Sequence, residues 1–402
     1  KQCPFLPPAA LYQCTQTSHP LTPTVGSFWN ALGEETRRLD AYDRALEVDP
    51  AYALAWSNQG GVFYSRGDYN RSIECYERAL EIDPRSREAW NNLGRSLFAA
   101  GEYERSIEGY DEALKIDPLY ATAWNNKGIA LGTLGRHQEA LDCYEEALKI
   151  EPSHVMALYN KGIALGLLGR QEEAVECYDA VLKVDPSYPP AWYNRGVALG
   201  LLGRQEQAAA SYDEALKLDP GYAQAWNNRG IALGSLGRQE EALQSYQRAL
   251  EIDPAYSQAW YNQGVAFSAL GRYQEAISSY DRALELDPEL SEAWNNKGIA
   301  LSALGRHQEA IECYERALEV GLASAGNLTK ADFDIDSDIN PDSRTDPKPD
   351  RISRRAPLRR TNRQPWRTRP WKGRTWRLSR HIGACNTLIT RLLLSRSARF
   401  MR

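Results

Sequence analysis

Apolar residues between positions 51 and 322 recur on two nested periods. Within short runs they stand three and four apart, which at about 100° per residue lines them along one face of a helix. The whole pattern then returns every 34 residues. Residues 119–152, LYATAWNNKGIALGTLGRHQEALDCYEEALKIEP, show one unit in full. Trp124, Gly128 and Leu131, with Leu134 beside them, predict the buried stripe of a first helix. Gly135-Arg136 predicts its end, because glycine takes the left-handed conformation that a C-terminal cap needs. A second helix is expected from His137-Gln138-Glu139, with Ala140, Tyr144 and Ala147 as its stripe and Leu141 and Leu148 adjoining. Glu151-Pro152 closes it, since proline lacks a backbone donor and biases its predecessor away from helix.

Trp56, Trp90, Trp124, Leu158, Trp192, Trp226, Trp260 and Trp294 lie 34 residues apart, and Pro84, Pro118, Pro152, Pro186, Pro220, Pro254 and Pro288 keep the same period. Trp, Gly, Ala, aromatic and Pro at fixed offsets in a 34-residue unit form a known signature. On those residues the chain resembles a tetratricopeptide repeat protein over about two thirds of its length. A helix pair of this kind cannot cover its own apolar face, so neighbours must stack. The fold expected is therefore all-α: a right-handed superhelical α-solenoid of helix-turn-helix repeats with disordered termini.

In order along the chain, residues 1–28 read as a disordered leader, Pro- and Thr-rich and without helical period. Residues 29–50 read as a degenerate partial repeat that lacks seven residues around its turn, and 51–322 as eight tandem units. Residues 323–350 read as an acidic disordered linker and 351–402 as an Arg-rich disordered tail. The tail holds 15 Arg, one Lys and no acid, which against a whole-chain charge of −5 leaves −21 for residues 1–350. Trp366, Trp371 and Trp376 among those arginines suit single-stranded nucleic acid. The abrupt change of composition also suits a solvated tail or an out-of-frame reading, and the three stay open.

Composition narrows the chemistry. Seven cysteines, an odd number without a C-x-x-C pair, argue against a disulfide framework. Cys75, Cys143, Cys177 and Cys313 share a slot with Gly109, Ser211, Ser245 and Ser279, which predicts small-residue packing. Asp332, Asp334 and Asp336 imitate a calcium loop, but Ser337 and Ser343 stand where it needs Gly and Glu. The five histidines pair with no nucleophile or acid at usable spacing, and no phosphate loop is present. The expectation is no enzyme, no catalytic residue, no metal and no cofactor. With no run of 18 apolar residues and no secretory signal, a cytoplasmic location without a membrane span is expected.

Function is expected on the face that the core leaves free. One position there reads Ile129, Ile163, Val197, Ile231, Val265 and Ile299, with Gly132, Gly166, Gly200 and Gly234 below it. Beside it stand Asn126, Asn160, Asn194, Asn228, Asn262 and Asn296, preceded in the same series by Asn58 and Asn92. The resemblance implies that this arc lines a concave groove. Apolar contact beside amides that donate and accept suits a peptide segment of a partner protein. The asparagine series is similar to that of the repeat arm of O-linked N-acetylglucosaminyltransferases, where it contacts substrate backbone; local bonding within the repeats is the competing account. Arg95 is the one basic groove residue, so the carboxylate clamp of chaperone-tail-binding relatives is not expected. Lys127, Lys161, Arg195, Arg229 and Lys297 fall at the core's edge, with stems on apolar surface and charges expected in water. The reading is a non-catalytic interaction scaffold. The alternatives are a targeting arm of such a glycosyltransferase assembly and nucleic-acid binding through the tail. Self-association through uncapped ends is a further expectation.

Overall fold

The computed structural model describes Asn30 and residues 39–326; the leader, the linker and the tail lie outside the described residues. Among the described residues there are seventeen helices and no strand. Helix α1 (Leu39–Val48) precedes eight pairs, each with a 13-residue A helix and a B helix that has 14 residues in all but the last. The pairs are α2 (Ala53–Ser65) with α3 (Tyr69–Ile82), α4 (Arg87–Ala99) with α5 (Tyr103–Ile116), α6 (Ala121–Thr133) with α7 (His137–Ile150), and α8 (Val155–Leu167) with α9 (Gln171–Val184). They continue as α10 (Pro189–Leu201) with α11 (Gln205–Leu218), α12 (Ala223–Ser235) with α13 (Gln239–Ile252), α14 (Ser257–Ala269) with α15 (Tyr273–Leu286), and α16 (Ser291–Ala303) with α17 (His307–Gly326).

Turn chemistry sets these bounds. The glycine between A and B helices has φ between +74° and +86° in all eight pairs, a region open to glycine at no steric cost. Asp68 and Ser86 cap α3 and α4 by accepting from the amides of Arg71 and Ala89. His154 caps α8 in the same way through Nδ1, 3.2 Å from the amide of Ala157.

Within a pair, close approach is the rule. A Cβ added at Gly128 would stand 2.5 Å from the Tyr144 ring, and the corresponding clash recurs from Gly94 with Tyr110 to Gly298 with Tyr314. Glycine on the A helix thus admits the tyrosine of its own B helix, while Ala140 and Ala147 are fully buried around it. Each B helix then packs on the A helix of the next pair, so the core is a continuous seam along an α-solenoid.

Tryptophan packs against that seam and has a second role. Trp124 is only half-buried, and its indole N–H donates to the carbonyl of Pro118 at 3.0 Å. Trp56, Trp90, Trp192, Trp226, Trp260 and Trp294 make the same bond to the proline six residues earlier. Trp124 stands on the core stripe as periodicity predicts, packed against buried clusters on both sides, and it also locks the turn that enters its own A helix. Leu158 makes no such bond.

Candidate functional site

A helices of consecutive pairs touch one another, whereas consecutive B helices come together far less, so the A side is the inner side of the stack. Three columns of side chains run along or beside it.

The first column is the asparagines. Asn126 donates through Nδ2 to Asn91 Oδ1 at 3.0 Å, Asn160 to Asn125 at 3.1 Å and Asn262 to Asn227 at 2.9 Å. Where tyrosine replaces the acceptor, its hydroxyl serves: Asn194 donates to Tyr159 at 2.8 Å, Asn228 to Tyr193 at 3.0 Å and Asn296 to Tyr261 at 3.1 Å. Asn58 reaches Asn30 at 3.1 Å, across 28 residues instead of 35. Asn30 therefore fills the acceptor slot of a preceding unit seven residues short. Asn126, Asn160 and Asn262 are buried, and Asn194, Asn228 and Asn296 half-buried. These amides were expected to face a peptide, and one donor of each is taken by the neighbouring repeat. That is the bonding inside the repeat array which stood as the competing expectation.

The second column is the cations, which also depart from expectation. Lys127, Arg195, Arg229 and Lys297 each stand 2.6 Å from an aspartate of the preceding B helix, Asp111, Asp179, Asp213 and Asp281, and Lys161 stands 3.0 Å from Glu145. Arg195 and Arg229 also donate to Ser211 and Ser245 of their own B helix at 2.7 and 2.6 Å. Lys127, Arg195, Arg229 and Lys297 lie over the tryptophan of their own helix. Their charges join repeats and are not left to water. With one carboxylate partly exposed in each pair, every bridge is worth about 1 kcal/mol or less.

The third column is the aliphatic ladder, and it is graded. Ile129 is 3% exposed and packs in one cluster with Phe98, which occupies the slot where later repeats have glycine. Ile129 is thus a core residue, a correction to its placement on the groove. Ile163 and Val197 are half-buried. Ile231, Val265 and Ile299 are 42%, 40% and 46% exposed, joined by Leu167 and Leu201. Tyr64 precedes Phe98 in the same slot, and Arg95 stacks on the Tyr64 ring at 4.8 Å. The inner face is filled by aromatics at its N-terminal end and opens from Ile163 onward.

The slot before the B-helix tyrosine holds buried Cys75, Cys143, Cys177 and Cys313. Burial pushes the Cys75 thiol up to about 12 and those of Cys143 and Cys177 up to about 11. Such thiols are poor nucleophiles. Among the described residues no group of three or more His, Cys, Asp or Glu is placed to hold a metal, and no helix is long and apolar enough to cross a membrane.

Paired helices stacked in tandem, with an open inner face and a continuous seam, define a helical-repeat solenoid of the interaction-module class. Tetratricopeptide repeat models match residues 60–99, 85–153, 119–187, 168–223, 223–256, 257–290 and 291–320, and the chain belongs to the tetratricopeptide repeat family. No curated protein matches the chain. Among solved structures, it is similar to MamA, with 25% identity, 41% of this chain and 96% of that one covered, and a TM-score of 0.40. It is also similar to YrrB, described as a TPR protein with an unusual peptide-binding site, with 24% identity, 46% and 96% coverage and a TM-score of 0.42. A third is MamA from Desulfovibrio magneticus RS-1, with 24% identity, 42% and 96% coverage and a TM-score of 0.40.

Proposed function

We propose that the chain is a non-catalytic scaffold that binds a peptide segment of a partner protein along the inner face of its A helices. The observation that carries this reading is the bare aliphatic ladder. Ile231, Val265 and Ile299 expose about the same fraction in three successive repeats, although alanines and leucines on the same helices already complete the core. β-branched side chains repeated in register on a solvated face leave apolar area that a partner can cover. The footprint runs over Ile163, Val197, Ile231, Val265 and Ile299, and the asparagines Asn160, Asn194, Asn228, Asn262 and Asn296 set its floor by holding the repeats in register. Peptide recognition along a repeat groove fits this arrangement, because each repeat offers an equivalent contact.

The test is a displayed peptide library selected on the wild-type chain and on Ile231→Glu/Val265→Glu/Ile299→Glu, after a circular-dichroism melt shows the variant folded. Peptides enriched on the wild type and lost on the variant support the groove. Equal enrichment on both moves binding to another surface and sinks the reading.

A further inference from the structure

Every B helix up to α15 is covered by the A helix that follows it. The leucine at the centre of that contact is buried in α1 and in six of the seven B helices from α3 to α15, as at Leu250 and Leu284, and half-buried at Leu148. Leu318 stands in the same slot of α17 and is 47% exposed. Two turns before it Ile311 is 48% exposed, whereas Ile277 and Ile73 in its slot are buried. Among the described residues no A helix follows α17 to cover this face. The apolar end of a repeat array calls for a cover.

The joints inside the array show what fits. Leu46, Leu114 and Leu250 each pack in one cluster with the alanine before them and with a tyrosine, an alanine and a tryptophan brought by the next repeat. For Leu250 these are Tyr256, Ala259 and Trp260. The Ile311 slot clusters with the apolar residue seven positions after the tryptophan, as Ile73 does with Leu97 and Ile277 with Leu301.

A charge supplies the rest of the code. Three residues before Leu318, Glu315 occupies the slot of Asp111, Glu145, Asp179, Asp213 and Asp281. In those repeats the acid pairs with a lysine or arginine of the next A helix, three residues after the tryptophan position. A carboxylate accepts from several donors, so Glu315 can take such a cation beside any other group it serves. The last B helix thus presents both halves of a contact that the array makes at its own joints.

Charge also selects the occupant. Two copies meeting end to end through this face would set their Glu315 carboxylates in one interface, which like charge opposes. A copy arriving with its N-terminal end would bring Leu32, three residues after Trp29, to the cation slot.

We propose that the C-terminal end of the array is a second docking site, independent of the inner face, for an amphipathic helix of a different protein. That helix lays Ala-Trp on Leu318, a Lys or Arg three residues further on beside Glu315, and an apolar side chain seven residues after the Trp on Ile311.

The probe is a labelled peptide with the sequence of residues 287–304, which carries Ala293, Trp294, Lys297 and Leu301 in that order. Fluorescence anisotropy on the full chain is expected to show saturable binding. Leu318→Asp should weaken it at least about tenfold, and Glu315→Lys about threefold to fivefold. A peptide carrying Lys297→Glu should bind the Glu315→Lys chain better than it binds the wild type. Absence of saturable binding, binding that Leu318→Asp leaves unchanged, or failure of the charge swap overturns the proposal. So does either rival cover. A second copy would show in analytical ultracentrifugation as a concentration-dependent dimer that Leu318→Asp abolishes. The chain's own remaining residues would show as a fall in melting temperature with Leu318→Asp as large as that with Leu284→Asp, where the leucine is buried.

Discussion

Asn194 reaches across a repeat boundary to donate to the hydroxyl of Tyr159 at 2.8 Å, and this substitution of tyrosine for asparagine strands a neighbour. In other repeats the residue before the ladder asparagine is itself an asparagine that donates to it, as Asn125 does to Asn126 and Asn227 to Asn228. Tyr159 offers no amide to Asn160, whose Oδ1 is buried without a hydrogen-bond partner. Asn262 follows Tyr261 in the same way but receives a bond from Gln258 at 3.3 Å. Met156 stands where that glutamine would be.

Met156→Gln is therefore expected to stabilise the fold by about 1 kcal/mol, by giving a buried acceptor its donor. Urea unfolding of the two proteins measures it, and a midpoint that stays or drops removes this account of Asn160.

The two glycines of α8 should respond with opposite signs. Gly166→Ala meets no obstruction and should stabilise by about 0.5 kcal/mol. Gly162→Ala drives a methyl group into the Tyr178 ring and should cost about 1–3 kcal/mol. Thermal melts of both variants are the check; the same sign at both positions contradicts the assignment of roles.

Leu158→Trp should add the bond to the Pro152 carbonyl that the seven other full repeats make through their own tryptophan. A gain of about 1 kcal/mol is expected, together with the loss of about as much from Trp192→Leu. Indole N–H chemical shifts report whether the bond forms.

Alkaline pH should weaken the fold. Burial raises the thiols of Cys75, Cys143 and Cys177 to about 12, about 11 and about 11, and the phenol of Tyr261 to about 12. Unfolded thiols titrate near about 8.5. Below that value both states are protonated and the full stability is present. Above it the unfolded chain ionises first, so stability falls as pH rises toward the folded values of about 11–12. The urea midpoint should be lower at about pH 10 than at about pH 8. At the lower pH, iodoacetamide should spare Cys75, Cys143 and Cys177 until denaturant is added, as mass mapping of the adducts would show.

Much of this was readable from residues alone. The 34-residue period, the glycine turns and the Asp-Pro stops carry the helix pairs, because local backbone chemistry and the stripe of apolar residues agree. The cation column was half readable: where Gln263 replaces the cation, Gln247 replaces the acid of the preceding helix, but Gln59 and Leu93 leave Asp43 and Glu77 in the matching slot. Periodicity placed Trp124 against the core but missed its second role, since a helical wheel cannot show an indole turning back onto a carbonyl before the helix. It misplaced Ile129, because its cover comes from Phe98 on another helix. The asparagines were ambiguous for a related reason: an amide that can serve a ligand can equally serve a neighbour 35 residues away, and only the stacking of A helices decides.

The asparagine bonds all point one way. In seven of the eight ladder asparagines from Asn58 to Asn296, all but Asn92, the amide nitrogen faces the earlier repeat and the acceptor the later one, with a tyrosine hydroxyl as acceptor at three points. Where they are chained, as from Asn160 through Asn125 and Asn126 to Asn91, each bond polarises the next. The solenoid therefore has a head and a tail electrically as well as in sequence, and a segment laid along it forwards does not meet the same surface as one laid backwards.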